Sequence, residues 1–215
     1  MMKYNSQARE NQDRFALAIL DSKENGTYVE VGGYLPIEWS NTFMLEREFG
    51  WTGISLELFD RFSSQWNGVR SNPCITCDAT KVDLNALIED NNLPMVIDFL
   101  QLDIDPASST FKVLENIDFD RYKFATITYE HDQWCGGDEA RRESREILES
   151  HGYTRVVSDL CDGSLSYEDW YVMEDLMPSD TWKQFVRSNV PAQRLRQELI
   201  EYLRQFDYEI NWWYE

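Results

Sequence analysis

The chain has 215 residues, 42% of them hydrophobic and 14% aromatic, enough for a single domain with a sizeable core. Acidic residues outnumber basic ones 39 to 20, a net charge of −19, which disfavours nucleic acid and anionic membrane surfaces as partners. No apolar run could span a bilayer, and residues 1–15 lack the apolar segment of a secretory leader, so a cytoplasmic location is expected.

Phe15, Leu17, Ile19 and Leu20 recur at helical spacing and predict a leading helix over 5–20. A strand over 27–31 runs into Gly32-Gly33. Ser40 is a good helix N-cap, and the helix it starts ends before Gly50. A second strand, 53–57, ends in Glu57. Residues 59–66 read as a helix broken by Asn67-Gly68, 74–77 as a strand ending at Asp78, and 83–90 as a short helix. The near-continuous apolar run 95–102 suits a central buried strand. Ser108 or Ser109 could cap a helix to about Asn116. Next come a strand over 124–129 and a polar helix over 138–150, with Gly152 as C-cap. Residues 153–158 and 169–173 read as two closing strands, and 191–206 as a helix before Trp212-Trp213-Tyr214. The order is a helix, βα repeated five times, then two strands. It predicts a Rossmann-like α/β fold, a mostly parallel sheet with a terminal hairpin and helices on both faces, in one domain over 1–215 with a helical tail from 178.

Ligands of such sheets bind beyond the carboxyl ends of the strands. Gly32, Glu57, Asp78, Asp103, Asp105, Glu130, His131 and Asp132 fall there. A glycine turn followed by an acid at the tip of the next strand suits a ribose. The dinucleotide pattern G-x-G-x-x-G is absent, and Pro36 has no N–H to offer a pyrophosphate, so a sugar-nucleotide enzyme using NAD is disfavoured. S-adenosylmethionine has a ribose but no phosphate. Asp103, Asp105, Glu130 and Asp132 could hold Mg²⁺; alternatively, His131 or a carboxylate such as Asp103 or Glu130 could be the general base. His131 could equally do no more than hydrogen-bond a neighbouring carboxylate. Cys74, Cys77, Cys135 and Cys161 read as free thiols, because the C-x-x-C pair lies in a strand. Arg141, Arg142 and Arg145 read as a solvated helix face.

The residues also resemble the FkbM-type S-adenosylmethionine-dependent methyltransferases, over roughly 25–177. Glu30-Val31-Gly32, Ser40-Asn41-Thr42, Leu45-Glu46, Gly50-Trp51, Gly53 and Glu57 are similar to the family's first block. The stretch Asp98 to Asp105 is similar to its strand-four block, and Ala125 to Asp132 to its strand-five block. Arg142-Glu143-Ser144-Arg145, Gly152-Tyr153 and Tyr167 to Val172 resemble the family's more C-terminal blocks. The chain departs from the family at Leu35-Pro36-Ile37, where many members place a further glycine, and at Asp105-Pro106, where many have Glu-Gly. The resemblance implies that Glu30 and Gly32, with Gly33 and Asn41 in the same block, border the methionine part of the cofactor. It implies that Glu57 takes the ribose, that Asp78 lies near the adenine and that Asp103 borders the site.

The expected function is S-adenosylmethionine-dependent O-methylation of a small hydroxylated acceptor, a saccharide being the favoured class. The alternative is an inactive module of the same fold that binds a nucleoside or a protein. The terminal aromatics suggest an acceptor surface or a homo-oligomer contact.

Overall fold

A computed structural model describes the backbone of residues 2–206 and 208–212 and the side chains of 6–206. The elements in chain order are β1 (Met2–Ser6), α1 (Gln12–Ile19), β2 (Thr27–Val31), α2 (Phe43–Phe49), β3 (Thr52–Glu57), α3 (Asp60–Ser63), β4 (Cys74–Thr76), α4 (Leu84–Asp90) and β5 (Val96–Leu102). They continue with α5 (Ala107–Glu115), β6 (Lys123–Glu130), α6 (Asp138–Ser150), β7 (Thr154–Asp162), β8 (Leu165–Val172), β9 (Arg187–Ser188), α7 (Ala192–Leu203) and β10 (Tyr208–Trp212).

Eight strands form one sheet in the order β4-β3-β2-β5-β6-β8-β7-β9. The five strands β4 to β6 run parallel. β8 returns antiparallel between β6 and β7, forming the expected hairpin with β7, and the short β9 adds an edge parallel to β7. The strand order reverses between β2 and β5, which makes a crevice at their carboxyl ends.

Two cores sandwich the sheet. On one face, Phe15, Leu17 and Ile19 of α1, Met44 and Leu45 of α2 and Leu195, Leu199 and Leu203 of α7 pack with Tyr28, Phe99 and Trp170. On the other, Leu84 and Ile88 of α4, Val113 and Leu114 of α5 and Leu148 of α6 pack with Val29, Leu100, Ile127 and Tyr171. The tail helix covers the first face with the 3.6-residue stripe the sequence carries.

The leading helix is shorter than its periodicity predicts. Asn11 adopts a left-handed conformation (φ 76°), so no helix runs through it, and Met2–Ser6 instead pairs in parallel with Tyr208–Trp212. That partner is some 200 residues away, beyond the reach of a local pattern. At α5, Pro106 rather than a serine holds the N-cap position, with no side-chain cap. At α2, Thr42 rather than Ser40 holds the N-cap position, with no side-chain cap; the Ser40 hydroxyl, two residues further out, accepts the Phe43 and Thr42 N–H groups at 3.1 and 3.3 Å. Trp213 and Tyr214 lie outside the described residues. Among the described residues, no helix is long and apolar enough to cross a membrane.

Candidate active site

The sheet register lines up two lateral rows at the crevice. Residues paired across strands share a face. One row runs Ser55, Glu30, Gln101, Thr128, Trp170 from β3 through β2, β5 and β6 to β8. Two residues nearer the edge, the alternation gives Glu57, Gly32, Asp103, Glu130 and Glu168, on the face covered by α1 and α2. Glu130 stands opposite Glu168 in the β6–β8 ladder.

Gly32 is held at φ +98°, and a Cβ there would sit 1.9 Å from the Asp103 carbonyl oxygen. Only glycine lets the chain turn this close to the end of β5. Gly33 packs against Ser55, Trp66 and Cys74. Beside the turn, the Glu57 carboxylate accepts the Tyr34 N–H at 2.9 Å and the Phe59 N–H at 2.8 Å. Each of its oxygens has a further lone pair for a ribose hydroxyl. Glu30 is buried and accepts from the Ser55 hydroxyl at 2.6 Å and the Thr42 hydroxyl at 2.9 Å. Burial pushes its carboxyl up, opposed by Arg70 and these hydroxyls. Asn41 is buried in the same loop, and its Oδ1 has no partner. Asp78 sits on the rim, where Lys81 first and then Thr80 hold its carboxyl at about 2.

Arg70 organises this loop, and no local sequence signal marks it. It pairs with Glu46 at 2.7 Å and donates to the Pro36 carbonyl, Ser40, Tyr28 and Thr42. Its guanidinium lies 4.3 Å from the Trp66 ring centre. Pro36, which departs from the family pattern, thus offers its carbonyl as an anchor. Tyr34 stacks with Trp39 and packs on Phe62.

Further along the edge row, Asp103 and Glu130 lie within hydrogen-bond reach of one another. Burial, then Asp103, Asp132 and Glu168, push the Glu130 carboxyl far up. Glu168 is buried and raised by burial, then by Asp103 and Glu10; its oxygens accept from the Gln12 amide at 3.2 and 3.3 Å. Asp132 is raised by burial and by Asp105 and Asp103, and accepts the Trp134 indole N–H at 2.9 Å.

Two sequence expectations need correction here. His131 does not face the crevice. It is fully buried, its Nδ1 accepts the Gln133 N–H at 3.2 Å, and its Nε2 lies 3.7 and 3.6 Å from Asp159 and Asp169. Counting from Tyr129, it belongs to the opposite face of the sheet, under α6, and is no candidate base. Nor do Asp103, Asp105, Glu130 and Asp132 form a metal cage. Among the described residues, the cluster whose ligand atoms come within 4.8 Å of one another is His131, Asp159 and Asp169.

That second cluster is already neutralised. Arg141 forks onto Asp159 at 2.6 and 2.8 Å. Arg145 forks onto Asp169 at 2.6 and 2.8 Å and reaches Asp159 at 2.9 Å. Burial would raise Asp169, but His131 and Arg145 outweigh it and hold the carboxyl at about 2. Burial opposes Asp159 too, and Arg141, Arg145 and Ser166 bring it well below the usual range. Arg141 and Arg145 are therefore structural, not a solvated face. Two arginines four apart on α6, with aspartates inside the closing strands, were the available signal, because a buried carboxylate demands a countercharge.

No family model and no curated protein matches the sequence. Solved structures match the fold. The METTL16 MTase domain aligns with TM-score 0.55 at 10% identity, over 77% of this chain and 67% of that one. A putative rRNA-methylase from Clostridium thermocellum aligns with TM-score 0.55 at 11% identity, over 78% and 97%. Aeropyrum pernix fibrillarin, with natively bound S-adenosyl-L-methionine, aligns with TM-score 0.50 at 14% identity, over 76% and 76%. At these identities the likeness is one of fold: this chain has the methyltransferase fold.

Proposed function

We propose that the protein is an S-adenosylmethionine-dependent O-methyltransferase of the FkbM type, acting on a hydroxyl of a small acceptor, with a saccharide as the favoured class. The observation that carries this reading is the Gly32 turn, pressed against Asp103 and flanked by the oriented Glu57 carboxylate. A fibrillarin of the same fold binds the same cofactor. The net charge of −19 favours a small acceptor over a polyanion.

In this reading Glu57 accepts the ribose hydroxyls, and Gly32, Gly33 and the Asn41 amide border the methionine end. Glu30 fixes the loop through Thr42, and Asp78 stands at the adenine rim. The bound cofactor supplies an electrophilic methyl group on a sulfonium. Asp103, at the edge beside Gly32, takes the acceptor's hydroxyl proton, with Glu130 in hydrogen-bond reach behind it. The enzyme contributes mainly position and orientation.

A second reading, a binding module without turnover, takes its support from the Leu35-Pro36-Ile37 turn, which departs from the family pattern beside the cofactor site. Calorimetry with S-adenosylhomocysteine tests the first reading. Wild-type protein is expected to bind it, and Glu57→Ala to bind about 1.5–3 kcal/mol more weakly, roughly ten- to a hundredfold. Equal affinity in the two proteins removes Glu57 from the site. Binding without methyl transfer to any acceptor in a hydroxylated panel leaves the module.

A further inference from the structure

The loop after Gly32-Gly33 is gripped from outside by one tight turn, Trp66 to Arg70, closed by the Arg70 N–H on the Trp66 carbonyl at 3.0 Å. Arg70 is buried, and each of the five N–H groups of its guanidinium meets an acceptor. Nε donates to Glu46 at 2.7 Å. One terminal nitrogen donates to the Pro36 carbonyl at 3.0 Å and to the Ser40 hydroxyl at 3.2 Å. The other donates to the Tyr28 hydroxyl at 3.2 Å and to the Thr42 hydroxyl at 3.0 Å. A buried guanidinium has to be satisfied in this way. Its ion pair with Glu46 does not explain why three of the remaining bonds fall on residues 36–42.

The direction of these bonds orders the loop. An arginine can only donate. With Arg70 on one of its lone pairs, the Thr42 hydroxyl turns its own proton to Glu30 at 2.9 Å. The ribose side is ordered from the other end of the turn. The Trp66 indole N–H holds the Tyr34 carbonyl at 3.1 Å, and the Tyr34 N–H meets Glu57 at 2.9 Å. Between Ser40 and Thr42, the two hydroxyl residues that Arg70 grips, stands Asn41. It is 6% exposed, and among the described residues its Oδ1 has no partner. A buried amide oxygen without a donor calls for an explanation. An ammonium group, with three N–H donors and no acceptor, supplies one.

We propose that Arg70 is a positioning residue for the amino-acid end of the cofactor: its fork holds Ser40 and Thr42 so that the Asn41 Oδ1 between them meets the cofactor's ammonium group. The inference rests on the methyl-transfer reading and adds to it a residue that lies in none of the blocks resembling the family. Pro36 has no N–H, so its carbonyl is the main-chain group by which that part of the loop can be tied, and Arg70 takes it. A lysine at this position would keep the charge opposite Glu46. It would offer three donors from one point instead of a planar fork, and could not hold Pro36, Ser40 and Thr42 together. The loop would then present Asn41 loosely, and an error of about 1 Å in such a group is costly. The adenosine end would keep Glu57, which Trp66 orders through Tyr34.

The test is calorimetry with S-adenosylhomocysteine and with 5′-methylthioadenosine, which keeps the adenosine and lacks the amino-acid end. Arg70→Lys is expected to bind S-adenosylhomocysteine at least about tenfold more weakly than wild type, and methylthioadenosine within about twofold of it. Asn41→Ala should show the same split, and the double variant should lose little more than either alone, because both remove one interaction. If Arg70→Lys does not fold, Thr42→Val takes its place in the same comparison, since it keeps the Glu46 ion pair and cuts one tie between Arg70 and the loop. Unchanged S-adenosylhomocysteine affinity in the folded variant overturns the proposal and leaves the methyl-transfer reading standing. Equal loss of both ligands overturns it as well, because Arg70 would then support the whole site rather than its amino-acid end. Additive losses in the double variant also overturn it, and that result decides alone if wild-type protein binds methylthioadenosine too weakly to measure. Failure of wild-type protein to bind S-adenosylhomocysteine brings down the methyl-transfer reading and this one with it.

Discussion

The two faces of the central sheet each carry a cluster of acids near the carboxyl end of β6, and they are treated oppositely. Under α6, Asp159 and Asp169 meet Arg141 and Arg145 in bidentate geometry. Under α1, Glu130 and Glu168 lie beside Asp103 and each other, and the Trp170 indole and the Gln12 amide act on Glu168. The first arrangement closes on itself and holds the β7–β8 hairpin to helix α6. In the second, among the described residues, no arginine forks onto the carboxyls, and burial and mutual repulsion raise them.

The largest expected effect breaks the first cluster. Asp169→Ala leaves Arg145 partly buried without its main partner and the Asp159 N–H without its acceptor. Unfolding by denaturant should show a loss of about 3–5 kcal/mol. A loss under about 1 kcal/mol would mean that the network is ornamental to the fold.

Glu168→Gln should act in the opposite direction. The glutamine keeps the shape and removes a group that must stay protonated in the folded protein. At about pH 8 the variant is expected to be more stable than wild type by at least about 1 kcal/mol. Destabilisation of that size would show that Glu168 is compensated in the native state.

The pH dependence of stability separates the clusters again. Asp159 and Asp169 have folded values below their unfolded ones, so their contribution is present above about pH 4 and is lost as pH falls through their folded values. Glu130 and Glu168 have folded values above their unfolded ones. Their contribution is complete below about pH 4 and declines as pH rises. Stability should therefore peak in mildly acidic solution and fall toward neutrality by about 1.4 kcal/mol per pH unit for each of these groups that stays protonated in the folded protein, and Glu130→Gln with Glu168→Gln should lessen that decline while the raised Glu30 and Asp132 keep part of it. A wild-type profile already flat from about pH 5 to about pH 8 contradicts the raised values.

The sequence makes the scaffold legible because its signals are local. Alternating strands and amphipathic helices, the glycine turn at Gly32 and the acids at strand ends each declare themselves within a few residues. What it hides depends on distant partners. The pairing of Met2–Ser6 with Tyr208–Trp212 joins the two ends of the chain. The role of Arg70 rests on a loop some 30 residues before it in the chain. His131 misleads a local reading because it directly follows the strand and stands among acids; which face it takes depends on one residue of alternation past Glu130, and on Asp159 and Asp169 arriving from β7 and β8. Glu168 does not announce itself as part of the edge row, since it reaches that row only because β8 inserts antiparallel beside β6.

The contrast between the two faces can be read directly from the side-chain carboxyl carbons in a carbon-13 NMR titration of the ligand-free protein. The expected result is an ionised Asp169 and a protonated Glu168, side by side in the sequence, in the same sample at about pH 7. A Glu168 carboxyl that ionises with an ordinary midpoint near about pH 4.3 would contradict the account, because the crevice would then hold bare charge rather than exchangeable protons.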